Sequence, residues 1–134
     1  VDPGLVRAVN NRFSDIYPEE RGALFEGFIA SVLKAYQDYH DLFDELYYWS
    51  PASSQNLEVD FILKRENEII AIEVKSSLNL QRSHFKGLKD ISELEGLRKK
   101  ILVYPGEKKM KTEDNIEIWP LPYFLEWLEN SNLW

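Results

Sequence analysis

The chain has 134 residues, 44% of them hydrophobic and 13% aromatic, which is enough for one packed domain and argues against intrinsic disorder. It contains no cysteine, which excludes disulfide frameworks and thiolate metal sites and fits a cytoplasmic location, and no apolar run approaches the roughly 18 residues that span a membrane. A net charge of −7 disfavours a protein that holds nucleic acid over its whole surface.

The first predicted element is a helix over residues 22–39, where apolar residues recur at helical spacing. A short aromatic strand is predicted at 46–49. The segment 50–56 contains one proline and three serines and is predicted to be a loop. The segments 57–63 and 69–74 are rich in Val, Ile and Phe and predict two strands joined by a short polar turn.

The second half of the chain also contains both predicted helices and predicted strands. Residues 80–94 predict a helix that ends near Gly96, residues 100–104 and 116–119 predict apolar strands, and residues 122–128 predict a last helix. The order is therefore helix, three strands, helix, two strands, helix. A hairpin followed by a helical crossover predicts an α/β fold with a central mixed β-sheet flanked by helices on both faces.

The predicted hairpin places acidic residues opposite each other. With a two-residue turn at 66–67, the numbers of paired residues add up to 133, so Asp60 lies opposite Glu73 and Glu58 lies opposite Lys75. Directly opposed residues have Cβ atoms about 4.5–5.5 Å apart. Alternation then puts these polar side chains on one face and the following residues on the other: Val59, Phe61, Ile70, Ile72 and Val74.

Two opposed carboxylates repel each other unless something lies between them. A hard divalent cation removes the repulsion, since Mg²⁺ prefers carboxylates together with water and phosphate oxygens. The alternative is a cross-strand ion network in which Lys75 neutralises Asp60 and Glu73 and Glu58 completes the set.

Glu26 favours a site at this corner. It lies at the margin of the apolar stripe of the first helix, where a carboxylate placed against the sheet needs a partner. Gly22 and Gly27 flank it, and glycine inside a helix indicates close packing. The alternative is a boundary glutamate that caps its own helix or pairs with Arg21.

Glu26 on a first helix, Asp60 on a strand and Glu73-Val74-Lys75 on the next strand resemble the PD-(D/E)XK nuclease-like superfamily, which has a restriction-endonuclease-like core. More narrowly, the chain resembles the uncharacterised domain that lies C-terminal to the ATPase module in many prokaryotic AAA-type ATPases. The segments that carry this second resemblance are Asp2-Pro3-Gly4-Leu5, Gly22-Ala23-Leu24-Phe25-Glu26, Leu46-Tyr47-Tyr48-Trp49, Glu58-Val59-Asp60-Phe61, Ile72-Glu73-Val74-Lys75-Ser76, Lys86-Gly87-Leu88 and Ile101-Leu102-Val103-Tyr104.

Two positions depart from the family patterns. Val59 stands where the superfamily has a proline, and Ser50 follows Trp49 where relatives of the narrower group often carry a basic residue. The sequence also begins at Val1 with a segment resembling the end of a strand that enters a turn. We therefore expect residues 1–134 to be one nuclease-like domain from the C-terminal part of a longer, ATPase-containing chain.

The resemblance implies metal-dependent hydrolysis of phosphodiester bonds in DNA. It implies that Asp60, Glu73 and the backbone carbonyl of Val74 bind Mg²⁺ or Mn²⁺. Glu26 would hold the outer water shell or a second ion, and Lys75 would orient the attacking water. An upstream ATPase module or a partner subunit is expected to accompany the domain, and no membrane partner is expected.

Positive charge is concentrated in residues 75–111, which carry 10 basic and 4 acidic residues. This stretch is either a solvated face or a surface that contacts phosphates. Arg82, Lys86 and Lys89 are the candidates for sequence-independent contacts with DNA. His40 and His84 are interpreted as surface residues.

Two other functions stay open. The fold is compatible with a catalytically inactive interaction or regulatory module beside the ATPase, which the net charge of −7 favours. A structure-specific, resolvase-like nuclease that works as a homodimer is the third interpretation.

Overall fold

The computed structural model describes residues 18–49, 58–130 and 134 of the chain. The predicted loop at 50–56, Ser50, Leu57 and the segment at 1–5 lie outside these residues. The helices are α1 (Pro18–His40), α2 (Lys86–Asp90) and α3 (Leu121–Glu129), and 3₁₀ turns at Arg82–Phe85 and Ile91–Glu93 flank α2. The strands are β1 (Glu45–Trp49), β2 (Val59–Arg65), β3 (Glu68–Val74), β4 (Leu97–Tyr104), β5 (Met110–Lys111) and β6 (Ile116–Pro120).

The six strands form one mixed sheet in the order β1-β2-β3-β4-β6-β5. Strands β1, β2 and β3 pair antiparallel, whereas β3 pairs with β4, and β4 with β6, in parallel. Strand β3 is therefore the place where the antiparallel strands β1 and β2 meet the parallel strands β4 and β6, and β5 pairs antiparallel with β6 at the far edge. This architecture confirms the predicted α/β class with a mixed sheet flanked by helices, and it is consistent with the nuclease-like core expected from the sequence.

Helices cover both faces of the sheet. On one face, α1 and α3 bury Phe25, Ile29 and Phe124 against the hairpin and β4. On the other face, α2 and its flanking turns bury Leu88 and Ile91. No helix in the described part of the chain is both long enough and apolar enough to cross a bilayer.

The predicted helix over residues 80–94 is wrong in its continuity, because the segment is a 3₁₀ turn, a five-residue α-helix and a second 3₁₀ turn. Ser83, Gly87 and Ser92 are weak helix formers. The Ser92 hydroxyl also donates to the carbonyl of Leu88 at 3.0 Å, a local bond that competes with regular helix. Strand β5 is not predicted at all, since its two residues carry no detectable periodicity.

Gly87 marks a close approach between α2 and the start of β2. A Cβ atom at this position would lie 2.1 Å from the carbonyl oxygen of Glu58, which is backbone and has little freedom to move. By contrast, nothing lies within 4 Å of a Cβ placed on Gly27. The interpretation of Gly27 as a close-packing position is therefore wrong, and Gly22 is only in ordinary contact range, 3.7 Å from the Ser76 hydroxyl.

The different surroundings of Gly87 and Gly27 predict opposite effects on stability when each glycine is replaced by alanine. Gly87→Ala is expected to lower the free energy of unfolding by about 1–3 kcal/mol, because α2 must move away from β2. Gly27→Ala is expected to raise it by about 0.5–1 kcal/mol, because alanine is the better helix former and meets no neighbour. Urea denaturation measures both, and a Gly87→Ala protein as stable as the wild type would contradict the close approach.

Candidate metal centre

The hairpin has the predicted register. Arg65 pairs with Glu68 and Phe61 with Ile72, so paired numbers add up to 133 and the turn is Glu66–Asn67. Glu66 adopts the left-handed conformation, with φ of 56°, that a tight hairpin turn requires. The register brings the next residues at the open end of the hairpin, Asp60 and Glu73, beside each other.

Strand β2 contains one extra residue at its start. Tyr47 pairs with Ile62 and Trp49 pairs with Val59, so three steps along β2 correspond to two steps along β1. This irregularity has the form of a β-bulge, which reverses the alternation of side chains beyond it. Val59 consequently lies in the cluster beneath α2, and the prediction that it shares a face with Phe61 is wrong.

The side chain of Asp60 continues the hydrogen bonding where the regular ladder stops. The paired residues of β2 and β3 end at Phe61 and Ile72, and the next backbone N–H on that side of β3, that of Val74, donates to Asp60 Oδ2 at 2.8 Å. In an antiparallel strand the N–H and C=O of one residue point to the same side. The carbonyl of Val74 therefore faces the side of β3 on which Asp60 lies.

Glu73 is the buried carboxylate of this site. Its side chain is 3% exposed, and its Oε1 atom is buried without a hydrogen-bond partner among the described residues. Desolvation, together with hydrogen bonding to Asp60 and repulsion from it, raises the pKa of Glu73 to about 10, and the charge of Lys75 opposes this rise. Near neutral pH and without a cation, the carboxyl group of Glu73 therefore keeps its proton.

Glu26, Glu58 and Lys75 complete the group, which we call the acidic corner together with Asp60 and Glu73. Glu26 is exposed on α1, and desolvation followed by repulsion from Asp60 and Glu58 raises its pKa, while Lys75 lowers it. Glu58 also contributes to the raised pKa of Glu73. The corner thus gathers the four predicted site side chains and one further acid from three segments of the sequence.

The direct ion pairs that would support the two alternatives to a metal centre are absent among the described residues. Arg21 makes no ion pair with Glu26, and Lys75 makes none with Asp60, Glu73 or Glu58; all these side chains lie in the described part of the chain. Within residues 18–49 and 58–130, no three His, Asp or Glu side chains form a group that encloses a metal by themselves.

The three predicted DNA-contacting residues are exposed, but they differ in their surroundings. Lys89 Nζ lies 3.5 Å from Asp114 Oδ2, so a carboxylate already offsets its charge. Arg82 and Lys86 have no such ion pair among the described residues. Two of the three candidates therefore keep a charge that is free to attract phosphate.

His84, predicted as a surface residue, is partly exposed and takes part in a local turn. It is half-buried, and its Nδ1 atom accepts a hydrogen bond from the backbone N–H of Gln81 at 3.2 Å. Desolvation and the nearby charge of Lys75 lower the pKa of His84. The signal in the sequence is the spacing of Gln81 and His84, since two polar residues three positions apart can form a capping box. His40 is exposed as predicted and stacks on Tyr36 with ring centroids 4.9 Å apart.

A protein-family model matches this chain. The model of a protein family described as a domain of unknown function matches residues 21–124. The matched segment runs from the first turns of α1 into α3 and includes every residue of the acidic corner. No curated protein matches the chain.

Proposed function

Because that match spans most of its length, the chain belongs to the family described as a domain of unknown function, DUF4143, and we propose that the acidic corner is the site of a metal-dependent phosphodiesterase of the PD-(D/E)XK type that acts on DNA. The single observation that carries this proposal is the buried Glu73 carboxyl group, with one unpartnered oxygen, beside Asp60. Burying such a pair is costly, and a divalent cation that binds both groups offsets the cost.

The donor set fits Mg²⁺ or Mn²⁺. Asp60 and Glu73 would bind the ion with carboxylate oxygens, and the Val74 carbonyl lies on the side of β3 that faces Asp60. Mg²⁺ accepts such a set because it commonly keeps several water ligands. Glu26, exposed and at the edge of the corner, is placed to orient a water molecule of the outer shell.

The chemistry divides between the ion and the protein. When bound, the ion would polarise a phosphate oxygen and lower the pKa of a bound water molecule. Lys75 lies close enough to Glu26 and Glu73 to affect the pKa of each, and it makes no ion pair with them. Its ammonium group is therefore free to donate hydrogen bonds to the attacking water and to a phosphate oxygen, and so to offset the charge that develops there.

The substrate must be held by few protein charges. The net charge is −7, and on the first 3₁₀ turn and α2, Arg82 and Lys86 are the exposed cations that have no ion pair among the described residues. Weak, salt-sensitive binding of DNA by the isolated domain follows from so small a set of phosphate contacts. The resemblance to the domain that follows an ATPase module supports delivery of the substrate by that module or by a second subunit.

Cleavage of supercoiled and branched DNA in the presence of Mn²⁺ tests the proposal. Glu73→Gln and Lys75→Ala are each expected to reduce the cleavage rate by about a hundredfold or more, because the ligand and the water-orienting group act together. Lys111→Ala, which removes an exposed lysine of β5, is the matched control and is expected to cleave at the wild-type rate.

The assay is run on the domain alone and within any longer native chain. Cleavage that survives unchanged in Lys75→Ala would contradict the assigned role of the corner. A longer chain that cleaves no substrate would favour the interaction-module function instead.

A further inference from the structure

We propose that His84 belongs to the same site and positions a phosphate group of the substrate through its Nε2–H donor. This inference rests on the proposed phosphodiesterase function and adds a residue to it. His84 follows the Glu73-Val74-Lys75 motif on a separate element, the first 3₁₀ turn.

Hydrogen bonding fixes the imidazole in one tautomer. Nδ1 accepts the Gln81 N–H at 3.2 Å, so this nitrogen carries no proton. In a neutral imidazole the proton is then on Nε2, which becomes a hydrogen-bond donor. Nε2 lies across the ring from Nδ1, and the donor is therefore directed away from the Gln81 backbone.

Packing fixes the position of the turn that carries His84. The adjacent Phe85 packs into the cluster that contains Val59, and Gly87 touches the backbone of Glu58. Both contacts join this segment to the start of β2, where Asp60 lies. Lys75 lies close enough to the imidazole to contribute, after desolvation, to the lowered pKa of His84.

Lys75 and His84 cannot satisfy each other. An ammonium group has only donors, and the one acceptor nitrogen of His84 is already occupied by Gln81. Two neighbouring donors that cannot bond to each other are both satisfied by an anionic oxygen between them. A non-bridging oxygen of a phosphodiester has this charge and this accepting capacity.

Two substitutions separate the positioning role from the capping role. In His84→Asn the side-chain oxygen replaces Nδ1 and keeps the bond to Gln81, but the distal donor is lost. In His84→Gln the amide reaches the position of Nε2 and restores a donor. We expect His84→Asn to keep the melting temperature and to lower kcat/KM for Mn²⁺-dependent cleavage roughly 10- to 100-fold, and His84→Gln to recover much of that loss.

A second measurement does not depend on cleavage. The chain has two histidines, so ¹⁵N NMR of the imidazole rings, with His40→Asn to assign the signals, follows His84 directly. The probe is a short oligodeoxynucleotide added with Ca²⁺, and the Nε2–H signal of His84 is expected to shift while that of His40 stays in place.

The outcomes distinguish this inference from the function on which it rests. If the protein cleaves nothing and the His84 signal still shifts, the phosphodiesterase proposal fails and the phosphate contact stands. An unshifted His84 signal, or undiminished cleavage by His84→Asn, would overturn the contact. Equal losses of melting temperature and activity in both variants would identify His84 as a structural cap only and would also overturn it.

Discussion

Without divalent metal, the wild-type protein is expected to lose stability as the pH rises from about 5 to about 9, and Glu73→Gln is expected to remove most of that loss. The cause is the carboxyl group of Glu73, whose pKa is raised from its ordinary value of 4.5 to about 10 by burial and by Asp60. Glutamine resembles the protonated acid in shape, and its amide donates to Asp60 at every pH in this range.

The loss of stability with rising pH follows from the difference in proton binding between the folded and the unfolded protein. Between pH 4.5 and about 10 the folded protein holds a proton that the unfolded chain releases, so the proton's stabilising effect is complete below 4.5 and is lost as the pH rises toward 10. Each unit of pKa difference corresponds to about 1.4 kcal/mol, so the whole effect amounts to several kcal/mol. Wild type and Glu73→Gln should therefore be similarly stable near pH 5 and differ most near pH 9.

Urea denaturation in EDTA at several pH values measures this difference. Glu107→Gln, which neutralises an exposed acid, is the control and should follow the wild-type curve. Parallel curves for wild type and Glu73→Gln would show that Glu73 ionises normally in the folded protein, and would rule out the proton retained by Glu73.

Divalent metal is expected to stabilise the protein most at high pH, where the metal-free protein is least stable. Binding to Asp60 and Glu73 requires the proton of Glu73 to leave, so Mn²⁺ or Mg²⁺ should stabilise the protein little near pH 5 and strongly near pH 9. At a free metal concentration of one hundred times the dissociation constant, the gain is about 2.7 kcal/mol. Calorimetry in two buffers with different ionisation enthalpies counts the proton released on binding.

Asp60→Asn separates the metal centre from a purely structural role of the corner. Its amide oxygen can still accept the Val74 N–H that Asp60 accepts at 2.8 Å, so stability in EDTA is expected to stay close to that of the wild type. The stabilisation by Mn²⁺ is expected to disappear, whereas Glu107→Gln should keep it. Marked destabilisation of Asp60→Asn in EDTA, combined with an unchanged response to Mn²⁺, would favour a structural ion network.

The sequence was sufficient for the parts of the site that depend on local pairing. The polar turn between two apolar strands determines the register that joins Phe61 to Ile72, and the acids at the open end follow from it. Helical periodicity likewise places Glu26 at the edge of the buried stripe of α1, since a wheel depends only on spacing. The predicted α/β class and mixed sheet follow from the same local patterns.

The rest depends on contacts between residues that are distant in the sequence. The bulge that moves Val59 to the other face arises from the pairing of β2 with β1, which no pattern within β2 reveals. Lys89 forms an ion pair with Asp114, a residue just before β6, and this carboxylate offsets its charge. The surroundings of His84 depend on the docking of α2 at Glu58, which the spacing of residues does not reveal.

The two-residue turn at Glu66–Asn67 has a consequence for the order in which the chain assembles. A hairpin that begins at its turn closes the pairs nearest the turn first, here Arg65 with Glu68, and reaches Phe61 and Ile72 only at the end. Asp60 and Glu73 lie beyond even that last pair, and Glu26 arrives only when α1 docks. The repulsion between the carboxylates is therefore met late in folding, when most of the apolar contacts that offset it already exist. An acidic site at the open end of a hairpin thus slows the search for the native pairing much less than the same residues would beside the turn.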